Sequence, residues 1–89
     1  MKVKLSAVII TYNEEENIER CISSLKGVVE EIIVVDSFSS DKTIKIAKSK
    51  GAIVFQNKFT GHIQQKNFAI TKANHKYVLS LDADECLSK

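Results

Sequence analysis

The chain has 89 residues, 44% hydrophobic and 27% charged, which fits one small soluble domain with a single modest core and leaves little room for a second. Thirteen basic against 11 acidic residues leave +2, too balanced to make nucleic acid or an anionic membrane the main partner. Arg20 is the one arginine among the basic residues, so there is no arginine patch for reading bases or phosphates.

The first apolar run, Leu5 to Ile10, is rich in Val and Ile and reads as a strand buried on both faces. It is too short for a signal sequence or a membrane span. Asn13 then reads as a helix N-cap, with Glu16 three residues on as in a capping box. Glu14, Glu15 and Glu16 crowd the first turn, where the helix dipole favours negative charge. Ile18, Cys21, Ile22 and Leu25 form a helical stripe, and Gly27 suits a left-handed stop. The second strand, Glu31 to Val35, ends at Asp36. Hydroxyls of Ser37, Ser39 and Ser40 offer caps for a short helix, with Asp41 in its first turn, Ile44 and Ala47 inward and Gly51 at its end. Ala52 to Phe55 make a third strand, and Gln56 to Gly61 a loop. A third helix runs from about Ile63 to Ala73, with Ile63, Ala69, Ile70 and Ala73 facing inward. The last strand, Tyr77 to Leu81, runs directly into Asp82-Ala83-Asp84-Glu85.

The order is βαβαβαβ, and strands joined by helical crossovers argue a parallel, doubly wound α/β sheet of Rossmann-like, three-layer type. Ligands of such sheets sit outside the carboxyl ends of the strands. Thr11, Tyr12 and Asn13 close the first strand, Asp36 the second, and Asp82 and Asp84 the fourth. Parallel strands bring these six to one rim.

Asp82-Ala83-Asp84 is the sharpest chemical signal. Two carboxylates just past a strand can share a hard cation and the hydroxyls of a bound sugar nucleotide. Mg2+ or Mn2+ held there bridges diphosphate oxygens and offsets charge on a leaving diphosphate. The ordinary alternative is a solvated acidic turn; the position after an apolar strand, opposite other polar strand ends, favours the site. Asp36 is either a turn residue or an acceptor for a base N–H. Tyr12 either stacks on a base or is a half-buried strand-end aromatic. Lys66, in the polar segment that opens the third helix, reaches phosphate as a point charge or is a surface lysine. Glu14, Glu15 and Glu16 read as solvated helix-start charge. His62 and His75 lack metal-ligand spacing and read as ordinary surface or loop histidines. Cys21 belongs to the buried stripe, and Cys86 has no visible base partner. Two such cysteines and no export signal favour a cytoplasmic location.

Taken together, these motifs resemble family 2 glycosyltransferases of the GT-A fold. The matching segments are Val8 to Glu14, Glu31 to Ser37 and Leu79 to Glu85. Gly61 to Asn67, with Gln65-Lys66-Asn67, resembles the subgroup that includes lipopolysaccharide-core glucosyltransferases. The resemblance runs along essentially the whole chain, and the order and spacing of the motifs make the combination specific. It implies that Thr11, Tyr12 and Asp36 hold the nucleotide base, most often uracil. It places Lys66 near the donor diphosphate or in the nucleotide pocket, Asp82 at the ribose or donor sugar and metal side, and Asp84 as the metal ligand. The implied reaction moves a sugar from a nucleotide-sugar donor, such as a UDP-sugar, to a glycan or lipid-linked acceptor, usually with inversion. Phe38 stands where the family commonly has glycine, which bears on the path of the loop after Asp36.

In the family the acceptor-binding half and the catalytic base lie beyond the Asp-x-Asp motif. Residues 1–89 therefore read as the donor-binding half, with no catalytic residue of their own and no transferase activity alone. A non-catalytic nucleotide-sugar-binding module acting through a partner is the competing class. A generic α/β domain whose strand-end polar groups only cap and turn is a third. The apolar edge Tyr77 to Leu81 is expected to support self-association. A lipid-linked acceptor would bring the protein to the inner face of a membrane, although nothing in these residues anchors it there.

Overall fold

The computed structural model describes residues 4–83. The elements follow the expected order: β1 (Leu5–Thr11), α1 (Ile18–Leu25), β2 (Glu31–Asp36), α2 (Thr43–Ser49), β3 (Ile53–Gln56), α3 (His62–Thr71) and β4 (Tyr77–Asp82). All three strand pairings are parallel, in the order β3-β2-β1-β4. The chain thus steps outward from β1 to β2 to β3, then crosses back to lay β4 on the other side of β1. Right-handed crossovers require the returning helix to lie on the opposite face from the first two. That is the arrangement found. Ile18, Cys21, Ile22 and Leu25 of α1 and Ala47 of α2 pack with Ala7, Ile9 and Val34 on one face. Ala69 of α3 packs with Val8, Ile33 and Val35 on the other, beside the half-buried Phe55, Phe68 and Val78. The result is a three-layer α/β domain.

The interior strand β1 is apolar on both faces because both are covered, and Ala7, Val8 and Ile9 are fully buried. The α1 stripe is buried as its spacing implies, all four residues at 0% exposure. Gly27 (φ 84°) follows α1 in the left-handed conformation that glycine adopts without a Cβ penalty.

The inward face of α3 differs from its expected one. Ala69 is buried and Ala73 packs against the same cluster, but Ile63 and Ile70 are 73% and 44% exposed. The buried row is instead Gln65 and Ala69, one helical turn apart, flanked by Phe68. Apolarity was a poor guide here because Gln65 finds hydrogen-bond partners inside, which removes the cost of burying its amide.

Candidate functional site

The parallel register levels the strand ends. Thr11 pairs with Asp36 across β1 and β2, and Ile10 pairs with Asp82 across β1 and β4. The chain passes from β1 to β2 on one side of β1 and returns from β3 to β4 on its other side, so the switch point of the sheet falls between β1 and β4 at the carboxyl rim, where doubly wound sheets take their ligands. A cavity of about 550 Å³ lies at this point. The end of β1 contributes Ile10, Thr11 and Tyr12, and the following turn contributes Glu14. Ser37 enters from the end of β2, Asp82 from the end of β4, and Phe59 and His62 from the approach to α3.

Asp36 is at the same rim but does not line the cavity. Its side chain is fully buried on the α1/α2 side of the sheet. One carboxylate oxygen accepts hydrogen bonds from the Thr11 hydroxyl (2.6 Å) and the Ser39 hydroxyl (2.6 Å); the other accepts from the Ser39 backbone N–H (2.7 Å). A buried carboxylate needs such donors to offset lost hydration. In return it fixes both the end of β1 and the loop after β2.

The two loops above the rim brace one another. Asn13 donates its backbone N–H to the Ser39 hydroxyl (2.7 Å), and its side-chain oxygen accepts the Ser40 N–H (2.8 Å). The Glu14 N–H reaches the Thr43 hydroxyl (2.8 Å), the Glu15 N–H reaches Asp41 (3.2 Å), and the Lys42 N–H reaches the Glu15 carboxylate (3.0 Å). This overturns the expected capping box. Asn13, at φ 53°, is not the N-cap, and α1 begins only at Ile18, after a turn closed on the Glu14 carbonyl. A local cap competes with long-range partners, and here the facing loop takes the Asn13 side chain. Asp41 likewise precedes α2 rather than sitting in its first turn, and accepts the Thr43 N–H (3.0 Å) and hydroxyl. Partial burial acts against its ionisation, but the bonds from Thr43 and Glu15 outweigh it and hold its carboxyl below the usual range.

Phe38 sits in this loop at φ 58° and is 62% exposed. It occupies the left-handed region where the family's glycine would carry no steric cost. That conformation costs an ordinary residue about 1–2 kcal/mol, while glycine loses about 0.5–1 kcal/mol of extra backbone entropy on folding. Phe38→Gly is therefore expected to stabilise the fold by about 0.5–1 kcal/mol, readable as a higher midpoint in urea; a lower midpoint would show that the exposed ring makes compensating contacts.

Of the residues singled out from sequence, Thr11, Tyr12 and Asp82 meet at the cavity, and Asp36 stands behind it. Lys66 is half-buried on α3 and does not line the cavity. Asp84 and Cys86 lie outside the described residues. Glu14, Ser37, Phe59 and His62 do line it, so Glu14 is more than solvated helix-start charge and His62 more than an ordinary surface or loop histidine. The signal available for Phe59 and His62 was topological: whatever joins β3 to α3 must arrive at the carboxyl rim. The two rings stack edge to face, centroids 5.1 Å apart at 77°.

Among the described residues no three metal-ligating side chains cluster. Mg2+ keeps several waters and uses one or two carboxylates plus substrate phosphates, and two carboxylates, Glu14 and Asp82, border the cavity. No helix of the described residues is long and apolar enough to cross a membrane.

Residues 6–89 match the profile of glycosyl transferase family 2. The chain belongs to that family. It is 51% identical over 86 residues to an uncharacterized glycosyltransferase of Rickettsia bellii, covering 97% of this chain and 29% of that protein. It is 37% identical over 93 residues to the lipopolysaccharide core biosynthesis glycosyltransferase LpsC of Rhizobium meliloti, covering 99% of this chain and 34% of that one. This family 2 chain thus spans about a third of the length of these relatives. Glucosyl-3-phosphoglycerate synthase of Mycobacterium tuberculosis, solved with Mn2+, UDP and glucosyl-3-phosphoglycerate, superposes with a TM-score of 0.80 at 27% identity, covering 91% of this chain and 33% of that one. The same enzyme has been solved with Mn2+ and UDP-glucose, and with Mg2+ and UDP.

Proposed function

We propose that the rim cavity binds the nucleotide-sugar donor, a UDP-sugar, of a metal-dependent glycosyl transfer to a glycan or lipopolysaccharide-core acceptor. The observation that carries this is the cavity itself: it opens at the switch point between β1 and β4, with Asp82 beside Thr11 and Tyr12. Mycobacterial glucosyl-3-phosphoglycerate synthase, with UDP and Mn2+, supports the same ligand class. In this reading Tyr12 stacks on the base, and Thr11 and Asp36 shape its pocket. Lys66 lies toward the donor. Asp82 and Asp84 take the metal, which when bound neutralises charge on the departing diphosphate. Glu14 and Asp82 would repel a bare diphosphate at this rim, and a divalent cation reverses that repulsion.

In this reading residues 1–89 form the donor-binding part of such a transferase and are inactive alone; sugar transfer from a UDP-sugar by this chain would contradict it. An acceptor built on a lipid would keep the protein in the cytoplasm at the inner membrane face. The outer edge of β4 is unpaired among the described strands, and self-association through it is expected as a concentration-dependent mass in sedimentation.

The test is calorimetric titration with UDP, with and without Mg2+. Binding that strengthens at least tenfold with the metal is expected; equal affinity in EDTA would remove the metal from the account.

A further inference from the structure

We infer that Gln65 is the positioning residue of the donor cavity, and that it orients the Ser37 hydroxyl to donate to an oxygen of the bound nucleoside diphosphate. Gln65 is a fully buried polar side chain on the α3 face whose Ala69 packs with Val8, Ile33 and Val35 of the sheet. An apolar residue of the same size would pack there, so packing alone does not account for the amide. Its hydrogen bonds do. The side-chain nitrogen donates to the Ser37 hydroxyl oxygen (2.9 Å) and to the Asn57 backbone carbonyl (3.2 Å). The side-chain oxygen accepts from the Asn57 side-chain nitrogen (2.9 Å). Both donor hydrogens of the amide are thereby used, and so is its acceptor.

These bonds join three segments that wall one side of the cavity. Ser37 follows β2 and lines the cavity. Asn57 follows β3 and leads to Phe59, and its backbone N–H is itself fixed on the Asp36 carbonyl (2.9 Å). Gln65 belongs to the helix that opens at His62. One amide therefore sets the spacing of the β2 end, the β3 end and the start of α3. The direction of the Ser37 bond matters as well. The Ser37 oxygen accepts from Gln65, so its own O–H keeps its proton to donate, and the cavity is where that donor is needed. A nucleoside diphosphate offers acceptor oxygens on base, ribose and phosphates; a cationic ligand does not.

This rests on the nucleotide reading of the cavity, and the experiment separates the two. UDP affinity in the presence of Mg2+ is measured for the wild type, Gln65→Met, Ser37→Ala and the double variant, well below each melting midpoint. Each single change is expected to weaken binding about tenfold, and the double variant to bind no worse than the weaker single, because both remove the same donor. A Gln65→Met protein that is less stable but binds UDP like the wild type would reduce Gln65 to a structural role and overturn the inference. Losses that multiply to about a hundredfold in the double variant would overturn it too. Should Gln65→Met fail to fold, Ser37→Ala decides alone, since unchanged affinity there removes the donor the inference requires. A wild type that does not bind UDP overturns the nucleotide reading and this inference together.

Discussion

Asp36→Ala is expected to destabilise the domain by about 2–4 kcal/mol, lowering the thermal midpoint by about 10–25 °C. The change removes three hydrogen bonds at once and strands the Thr11 hydroxyl and the Ser39 amide. Orphaned groups of this kind cost about 1–3 kcal/mol each, less where water or rotation finds a new partner. Asp36→Asn is expected to cost less, because one oxygen remains as an acceptor while the new NH2 faces a donor. An ordinary surface turn aspartate would cost only about 0.5 kcal/mol. A small loss would therefore show that the loop after β2 holds its path without this carboxylate. The same substitution is expected to abolish nucleotide binding even where the protein remains folded, since Thr11 and the loop carrying Ser37 lose their common anchor.

Asp82→Ala acts differently. Asp82 is partly exposed at the cavity rather than central to the core, so the expected effect is on ligand affinity. A charge-assisted contact to a metal–diphosphate is worth about 1.5–3 kcal/mol, which is about a 10- to 150-fold loss of UDP affinity with Mg2+ present. Affinity in EDTA should fall little, or rise, because a carboxylate facing the diphosphate has been removed. Asp82→Asn should behave alike, keeping the shape and losing the charge. If the variant kept the full gain in affinity from Mg2+, the cation would have to be held without Asp82.

The layers and the alternation of strands and helices were legible because the apolar runs are short, β-branched and separated by helical stripes. The stripe of α1 at positions 18, 21, 22 and 25 is buried as read. Parallel crossovers also require Thr11, Tyr12 and Asp82 to arrive at one rim. What local patterning missed was decided by contacts distant in sequence. Asn13 sits where a cap belongs, but its side chain bonds Ser40, 27 positions away. Ile63 and Ile70 look like core residues, yet α3 turns Gln65 inward because Ser37 and Asn57 wait there to bond it. Asp36 looks like a ligand residue and is first of all the anchor of a loop. His62 and Phe59 carry no motif of their own, and only the crossover from β3 brings them to the cavity.

The most direct measurement is a titration of the isotopically labelled chain with UDP and Mg2+, followed by amide NMR shifts, with Mn2+ broadening to locate the metal. Shifts are expected to concentrate at Thr11, Tyr12, Ser37, Phe59, His62 and Asp82 and to depend on the metal, with Mn2+ broadening centred on Asp82. A folded spectrum whose shifts cluster away from this rim, or that does not respond to UDP at all, would contradict a donor site there.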